Sequence, residues 1–178
     1  MKTLTEHLSH YAAYHLDARN VATHVVGVPM IMLAVATMLA RPVWLVGGLP
    51  VSPAVLVSLA CVLFYLRLDL RFGLTMAVWL AVFVAFAHGL AAQSTVLWLT
   101  TGIGLFVVGW AIQFLGHYYE GRKPAFVDDI VGLLIGPLFL VVKLAFALGW
   151  RLDLKAEIER QVMRPRAQTG SGCSGLTV

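Results

Sequence analysis

The sequence predicts an all-α polytopic membrane bundle: four transmembrane helices, a fifth apolar segment that is broken or re-entrant, and an amphipathic helix at each end. Hydrophobic residues make up 60% of the 178 and charged residues only 12%, with a mean hydropathy of +0.83. Soluble domains carry about 45–50% apolar and about 25% charged residues. The apolar residues gather in long runs, and a bilayer crossing needs about 20 of them in succession. The basic residues sit at the ends of those runs, and the net charge of +4 is small. Such flanks suit anchoring beside anionic lipid, not nucleic-acid binding. One bundle, residues 1–164, accounts for the length. Cys61 and Cys173 have neither the number nor the spacing of a disulfide framework or a thiolate metal site.

The chain opens on a short amphipathic helix over 3–16, whose stripe is Leu4, Leu8, Tyr11 and His15. It is expected to ride along the membrane interface. No cleavable signal is visible, so the first long run is a retained anchor. Asp17 to Asn20 turn the chain, with Asn20 a cap for a span over about 21–40 that Pro29 can kink. A loop holding Gly47-Gly48 leads to a short second span, about 54–66. The third covers about 73–92 and the fourth about 96–117, joined by the uncharged turn Ala92-Gln93-Ser94-Thr95 as an antiparallel hairpin. Gly102, Gly104 and Gly109 are small enough to let helices approach closely.

The segment 130–149 contains Gly136-Pro137, expected to break a helix, and a charged Lys143. Should it not cross, nearly every Lys and Arg shares one face with both termini, and only Arg41 lies opposite. The positive-inside rule therefore favours four crossings, with the N-terminus cytoplasmic, in a bacterial inner membrane or, in a eukaryote, the endoplasmic reticulum. From Arg151 an amphipathic helix carries Leu152, Leu154 and Ile158. Residues 165–178 are too polar to build a core and are expected to be disordered.

Chemistry concentrates in two stretches. Gln113-Phe114-Leu115-Gly116-His117-Tyr118-Tyr119-Glu120-Gly121-Arg122-Lys123-Pro124 ends the fourth span, and Gln113, His117 and Glu120 share a helix face there. The other stretch is Tyr14-His15-Leu16-Asp17-Ala18-Arg19-Asn20, with His24 a turn later. Three crossings after the first return the chain to the same side, so His15, His24, His117 and Glu120 can converge at one, cytoplasmic, face. Imidazoles with a carboxylate suit a divalent transition metal such as iron, zinc or manganese. Asn20 and Gln113, each four residues before a histidine, sit where they can orient the rings. Arg122-Lys123 serve either as a topology anchor or as a clamp for a fatty carboxylate or anionic head group.

Lone histidines near span ends are also common as interfacial residues. His88 is some 20 Å from that face and reads as a packing contact. His7 and His10 read as solvated, Asp69 as the salt partner of Arg67 and Arg71, and Asp128-Asp129 as helix caps. No His-x-x-His-His box, His-Glu-x-x-His, phosphate-cradling loop or serine elbow is present.

Tyr14-His15 with Asn20, His24 and Pro29, then Gly109-Trp110, Gln113-Phe114, Gly116-His117, Glu120, Arg122, Pro124-Ala125 and Asp128, then Gly136-Pro137 and Phe139, resemble a family of 2-hydroxy fatty acid dioxygenases of phytosphingosine α-oxidation. The similarity covers roughly residues 5–155. It implies an Fe(II)-dependent enzyme that uses O₂ to shorten a long-chain 2-hydroxy fatty acid by one carbon. By the same resemblance His15, His24 and His117 are iron ligands and Glu120 is a further ligand or base. The substrate's carboxylate and 2-hydroxyl would reach the metal beside Arg122 or Lys123. Two alternatives stand beside this one: a bis-histidine haem protein using His24 and His117, and a non-enzymatic lipid-binding or scaffolding bundle. Nothing in the sequence fixes an oligomeric state.

Overall fold

A computed structural model describes residues 2–122, 124 and 130–163. Lys123, the Asp128-Asp129 pair and the tail 165–178 lie outside the described residues. Among the described residues seven helices run in the order α1 (Leu4–Ala12), α2 (Ala18–Leu39), α3 (Pro53–Leu68), α4 (Leu70–Ala91), α5 (Thr95–Glu120), α6 (Gly132–Ala147) and α7 (Leu152–Met163). Among the described residues α2, α4 and α5 are long and apolar enough to cross a membrane, and α6 with α7 makes a fourth if that bent pair is one span. The apolar α3 is 16 residues long. Outward residues such as Val26, Leu63, Val78, Phe86 and Val107 are exposed, an apolar surface that a water-soluble monomer avoids and a lipid-facing one requires.

The helix ends follow from local chemistry. Thr3 caps α1 by accepting from the Glu6 amide, while the Glu6 carboxylate accepts from the Thr3 amide at 2.6 Å, a reciprocal capping box. The α1 stripe is buried as expected, and it packs on α6 and α7. Asp17, not Asn20, caps α2: its carboxylate accepts from the Arg19 amide at 2.8 Å. The helix thus starts three residues earlier than expected, and Asn20 is buried within its first turn. Between α2 and α3, the segment read as a loop contains a small antiparallel hairpin, β1 (Trp44–Val46) with β2 (Leu49–Val51). Gly47 and Gly48 at its turn have φ of +59° and +83°, the paired positive angles that a tight two-residue hairpin turn needs.

Helices α2 and α5 run antiparallel along a seam of small residues. A Cβ added at Gly109 would stand 2.8 Å from Ile31 Cγ1, at Gly102 2.9 Å from Met38 Cγ, and at Gly116 2.0 Å from Thr23 Oγ1. These three glycines recur every seventh residue, so they line one stripe of α5 against which α2 packs closely, backbone to backbone at Gly109 and Gly27. Gly104, expected among them, faces open space. At the far end of the seam, the Arg41 guanidinium donates to the carbonyls of Ala91 and Gln93 and lies over the Trp98 ring at 4.7 Å. Those contacts satisfy carbonyls that the end of α4 leaves free.

Two expectations are corrected near α6. Pro137 lies inside α6 without ending it. Neighbouring side chains support the interrupted turn: Tyr65 Oη donates to the Leu134 carbonyl at 2.7 Å, and Ile135, Leu138 and Phe139 are buried. Asp69 is not the partner of the Arg67 and Arg71 side chains. Its Oδ1 caps α4 by accepting from the amides of Arg71 and Phe72, and its Oδ2 faces Arg151 Nη1 at 3.1 Å. The carboxyl is held below the usual aspartate range. Its desolvation acts the other way, but the Phe72 amide and the Arg151 pairing outweigh it.

Two cations on either side of α6 in the chain have partners at one end of the bundle. Arg122, before it, donates to the Ala13 carbonyl at 2.8 Å, and Arg151, after it, reaches the α3–α4 turn. The His7 ring meets Phe64 near the end of α3, at 6.3 Å, which puts α1 at that same end. Arg122 and Arg151 therefore lie at the end of the bundle that holds α1. At residues 148–151 the chain bends by 119° into α7, with Gly149 at φ +77°. Leu154 and Ile158 of α7 then join the α1 core, while Leu152 stays exposed.

Candidate metal centre

His15, just after α1, His24, in the second turn of α2, and His117, near the end of α5, are all buried. Their ring centroids are 4.5 Å (15 to 24), 5.0 Å (24 to 117) and 5.4 Å (15 to 117) apart. One nitrogen from each lies within 4.8 Å of the others. Nitrogens bound to one metal at about 2.1 Å in tetrahedral or octahedral array stand roughly 3.0–3.4 Å apart, so a small closure would bring the third ring into range.

The hydrogen bonds fix two of the tautomers. His15 Nδ1 is 2.8 Å from the Tyr11 carbonyl, and His24 Nδ1 is 2.8 Å from the Asn20 carbonyl. A carbonyl oxygen only accepts, so each Nδ1 must carry hydrogen. In the neutral rings each Nε2 is then a bare lone pair, and the two face each other at 3.1 Å. Two lone pairs so placed repel unless a cation or a proton lies between them. Burial pushes His15 down to about 4, against the pull of its bond to Tyr11, so at neutral pH it offers a lone pair. Among the described residues His117 Nδ1 has no hydrogen-bond partner although it is buried, an arrangement that costs free energy until something binds there.

Glu120, the fourth member expected of the cluster, is already engaged. Its carboxylate accepts from the amides of Leu16 and Asp17, each at 2.9 Å, and from Asn20 Nδ2 at 3.0 Å. This clamp ties the turn between His15 and His24 to the end of α5, and it leaves Glu120 outside the group of ring nitrogens. Asn20 orients His24 through its backbone carbonyl, while its side chain serves the clamp. Among the described residues Gln113 makes no hydrogen bond to a ring nitrogen. Its Oε1 is buried without a partner, and the side chain lines a cavity of about 90 Å³ with His24, His117 and Trp110. Arg122 is exposed and occupied by the Ala13 carbonyl. His88 pairs with Ser52 across α3 and α4, Ser52 Oγ to Nε2 2.9 Å, a packing contact remote from the centre. His10 is exposed, while His7 is half-buried against Phe64.

Two residues beside the centre, Tyr11 and Lys143, were read from sequence only as part of a buried stripe and as a charge in an apolar run. Tyr11 gives His15 its carbonyl and stacks its ring on the imidazole at 4.1 Å. The signal was its place four residues before His15 on one helical face. Lys143 lines a cavity of about 450 Å³ together with His15, Phe139 and Lys155. A lysine within an apolar run was its signal.

Fold and centre define a class, a helical bundle of membrane type whose one end gathers three buried histidines that could hold a metal ion. Residues 1–148 match the family described as Mpo1-like, 2-hydroxy-palmitic acid dioxygenase Mpo1-like, and the chain belongs to that family. It is 32% identical over 161 residues to the 2-hydroxy-palmitic acid dioxygenase MPO1 of Saccharomyces cerevisiae, which covers 89% of each chain. No solved structure matches it.

Proposed function

We propose that this chain is a membrane-embedded, Fe(II)-dependent dioxygenase that removes one carbon from a long-chain 2-hydroxy fatty acid. The observation that carries this is the pair of histidine lone pairs facing each other at 3.1 Å, each ring fixed through its Nδ1 hydrogen. The family's activity on 2-hydroxy-palmitic acid, as its description states it, supplies the substrate class. A neutral, all-imidazole donor set with room for further ligands fits Fe(II), and His15, His24 and His117 would hold it. Bound iron would supply the activation of O₂ beside a chelating substrate.

The chain's own residues do the rest. The carbonyls of Tyr11 and Asn20 hold two rings in the ligating tautomer. Glu120 acts as a positioning residue, locking the α1–α2 turn against α5, so that His15 and His24 stay opposed to His117. The apolar surround excludes water. Lys143, in the cavity that reaches His15, suits the substrate carboxylate. Arg122 follows α5 at the same end and would draw an anionic substrate toward it.

A bis-histidine haem fits poorly. The rings of His24 and His117 meet edge to face at 5.0 Å with His15 against both. The adjoining cavity of about 90 Å³ is small beside the roughly 300–1,000 Å³ of sites for drug-sized ligands. We place the centre on the cytoplasmic side, with α2 to α5 crossing the bilayer and α3 tilted or flanked by snorkelling Arg67.

The test is oxygen consumption by purified protein loaded anaerobically with Fe(II). With 2-hydroxyhexadecanoic acid, uptake of O₂ should match formation of a fifteen-carbon acid, and hexadecanoic acid should give neither. Uptake that is equal with both acids, or absent with both, overturns the proposal.

A further inference from the structure

We infer that the acyl chain of the substrate lies in a groove running from the histidine centre along one face of α2, with a floor at Leu39 and Ala54 that sets the chain length accepted. This rests on the function proposed above and adds to it the place of the hydrocarbon. The small cavity beside His24 and His117 abuts a second one of about 390 Å³, and the two share the walls Ile31, Met32, Trp110, Leu133 and Pro137. Along α2 the lining passes from His24 through Val28, Ile31 and Val35 to Leu39, steps of three and four residues that keep to one face. On α3 it takes Ala54, Ser58, Cys61 and Tyr65, the same spacing in the opposite direction.

Length argues for the occupant. Fifteen residues from His24 to Leu39 rise about 22 Å at 1.5 Å each. Carbon–carbon bonds of about 1.5 Å meeting at about 111° advance roughly 1.25 Å apiece, so a stretched sixteen-carbon chain is about 19 Å long. With its carboxyl end at the centre, its methyl end comes to the level of Ala36, one turn above the floor. There Ala36 packs against the small residues Ala40, Ala87 and Ala91, leaving the groove width that larger side chains would fill. Among the described residues the lining of this deeper cavity holds no charged side chain, whereas the cavity reaching His15 from the other side holds Lys143, Lys155 and Glu159. A hydrocarbon belongs in the first and a carboxylate near the second.

The first test needs no turnover. 2-Hydroxyhexadecanoic acid with a photoactivatable diazirine at its methyl end is irradiated with the intact protein, and the labelled peptides are mapped. Labelling on α2 over 35–39 and on α3 over 54–58 is expected. Labelling confined to lipid-facing residues of α4 and α5, or to the cavity around Lys143, overturns the inference.

The second test is Ala36→Phe, whose ring reaches about three to four carbon steps beyond the alanine methyl. Each methylene denied entry lowers kcat/KM about fourfold, the equivalent of about 0.8 kcal/mol. Relative to the twelve-carbon acid, the sixteen-carbon acid should therefore lose on the order of 100-fold, with metal content and twelve-carbon turnover kept. An unchanged ratio in an active variant overturns the inference. Ser58→Leu narrows the same groove from α3 and gives the same reading should Ala36→Phe fail to fold. Floor labelling without turnover of any 2-hydroxy acid would refute the proposed reaction and leave the groove standing.

Discussion

Gly116→Ala should loosen the metal centre without touching a ligand. The new Cβ would stand 2.0 Å from Thr23 Oγ1, 2.6 Å from Asn20 Oδ1 and 3.2 Å from Thr23 Cβ. Comfortable contacts begin at about 3.5 Å, so the overlap with the threonine hydroxyl is severe. Neither neighbour retreats cheaply. Thr23 Oγ1 donates to the Asn20 carbonyl at 2.7 Å, and the Asn20 amide is held by Glu120 at 3.0 Å. The first turn of α2 must therefore move away from α5 by about 1 Å, carrying His24 from His117, at a cost of about 1–3 kcal/mol, the range for overpacking. Displacing ligand supports of this kind typically lowers metal affinity about 10- to 100-fold. Gly104→Ala is the control: its Cβ meets nothing, and exchange of an exposed mid-helix glycine for alanine should stabilise by about 0.5–1 kcal/mol. Titration of metal-free protein with Co(II), beside thermal melts of both variants in detergent, reads the two effects. If Gly116→Ala bound metal as tightly as wild type and melted at the same temperature, the close α2–α5 contact would not be what holds the histidines together.

Other outcomes follow from the same contacts. Glu120→Gln keeps the size of the side chain but weakens its charge-assisted bonds to Leu16, Asp17 and Asn20; metal stoichiometry should persist while affinity drops about tenfold, and complete loss of metal would make Glu120 a ligand instead. Lys143→Met should raise KM for the 2-hydroxy acid by about tenfold and leave kcat near wild type, as removal of a binding charge does; an unchanged KM would exclude Lys143 as its partner. For metal-free protein, His15 titrates near 4 when folded and near 6.5 when unfolded. Between those values the unfolded state holds the extra proton, so stability falls as pH falls, by about 1.4 kcal/mol per pH unit. Melts at pH 7, 6 and 5 check this, and His15→Gln should make that part of the profile shallower by about that amount.

Much of the architecture was legible because lipid imposes a simple rule. Runs of about 20 apolar residues bounded by charge can hardly be anything but α2, α4 and α5. Loop charges pointed to a segment that enters and leaves on one side; the contacts of Arg122 and Arg151 put those two cations at one end of the bundle. Local detail was harder to read. Asn20 looked like a cap because its type favours caps, yet Asp17 took that place and freed the Asn20 side chain for Glu120. Pro137 looked like a break, but tertiary packing and the Tyr65 hydroxyl hold the helix through it. Sequence spacing places a carboxylate on the face of His117 but cannot say whether a backbone amide 103 or 104 residues away will take it first. The convergence of His15, His24 and His117 rested on counting crossings, and the rings do meet.

The account depends on those three rings sharing one ion. The direct measurement is metal content per chain in the purified protein and in His15→Ala, His24→Ala and His117→Ala, with the visible spectrum of the Co(II)-loaded forms. Near-stoichiometric metal in wild type, lost in each variant, and an absorption set by nitrogen ligands without a haem Soret band, is the result expected. Equal metal in all four proteins, or none in any after reconstitution, would contradict it.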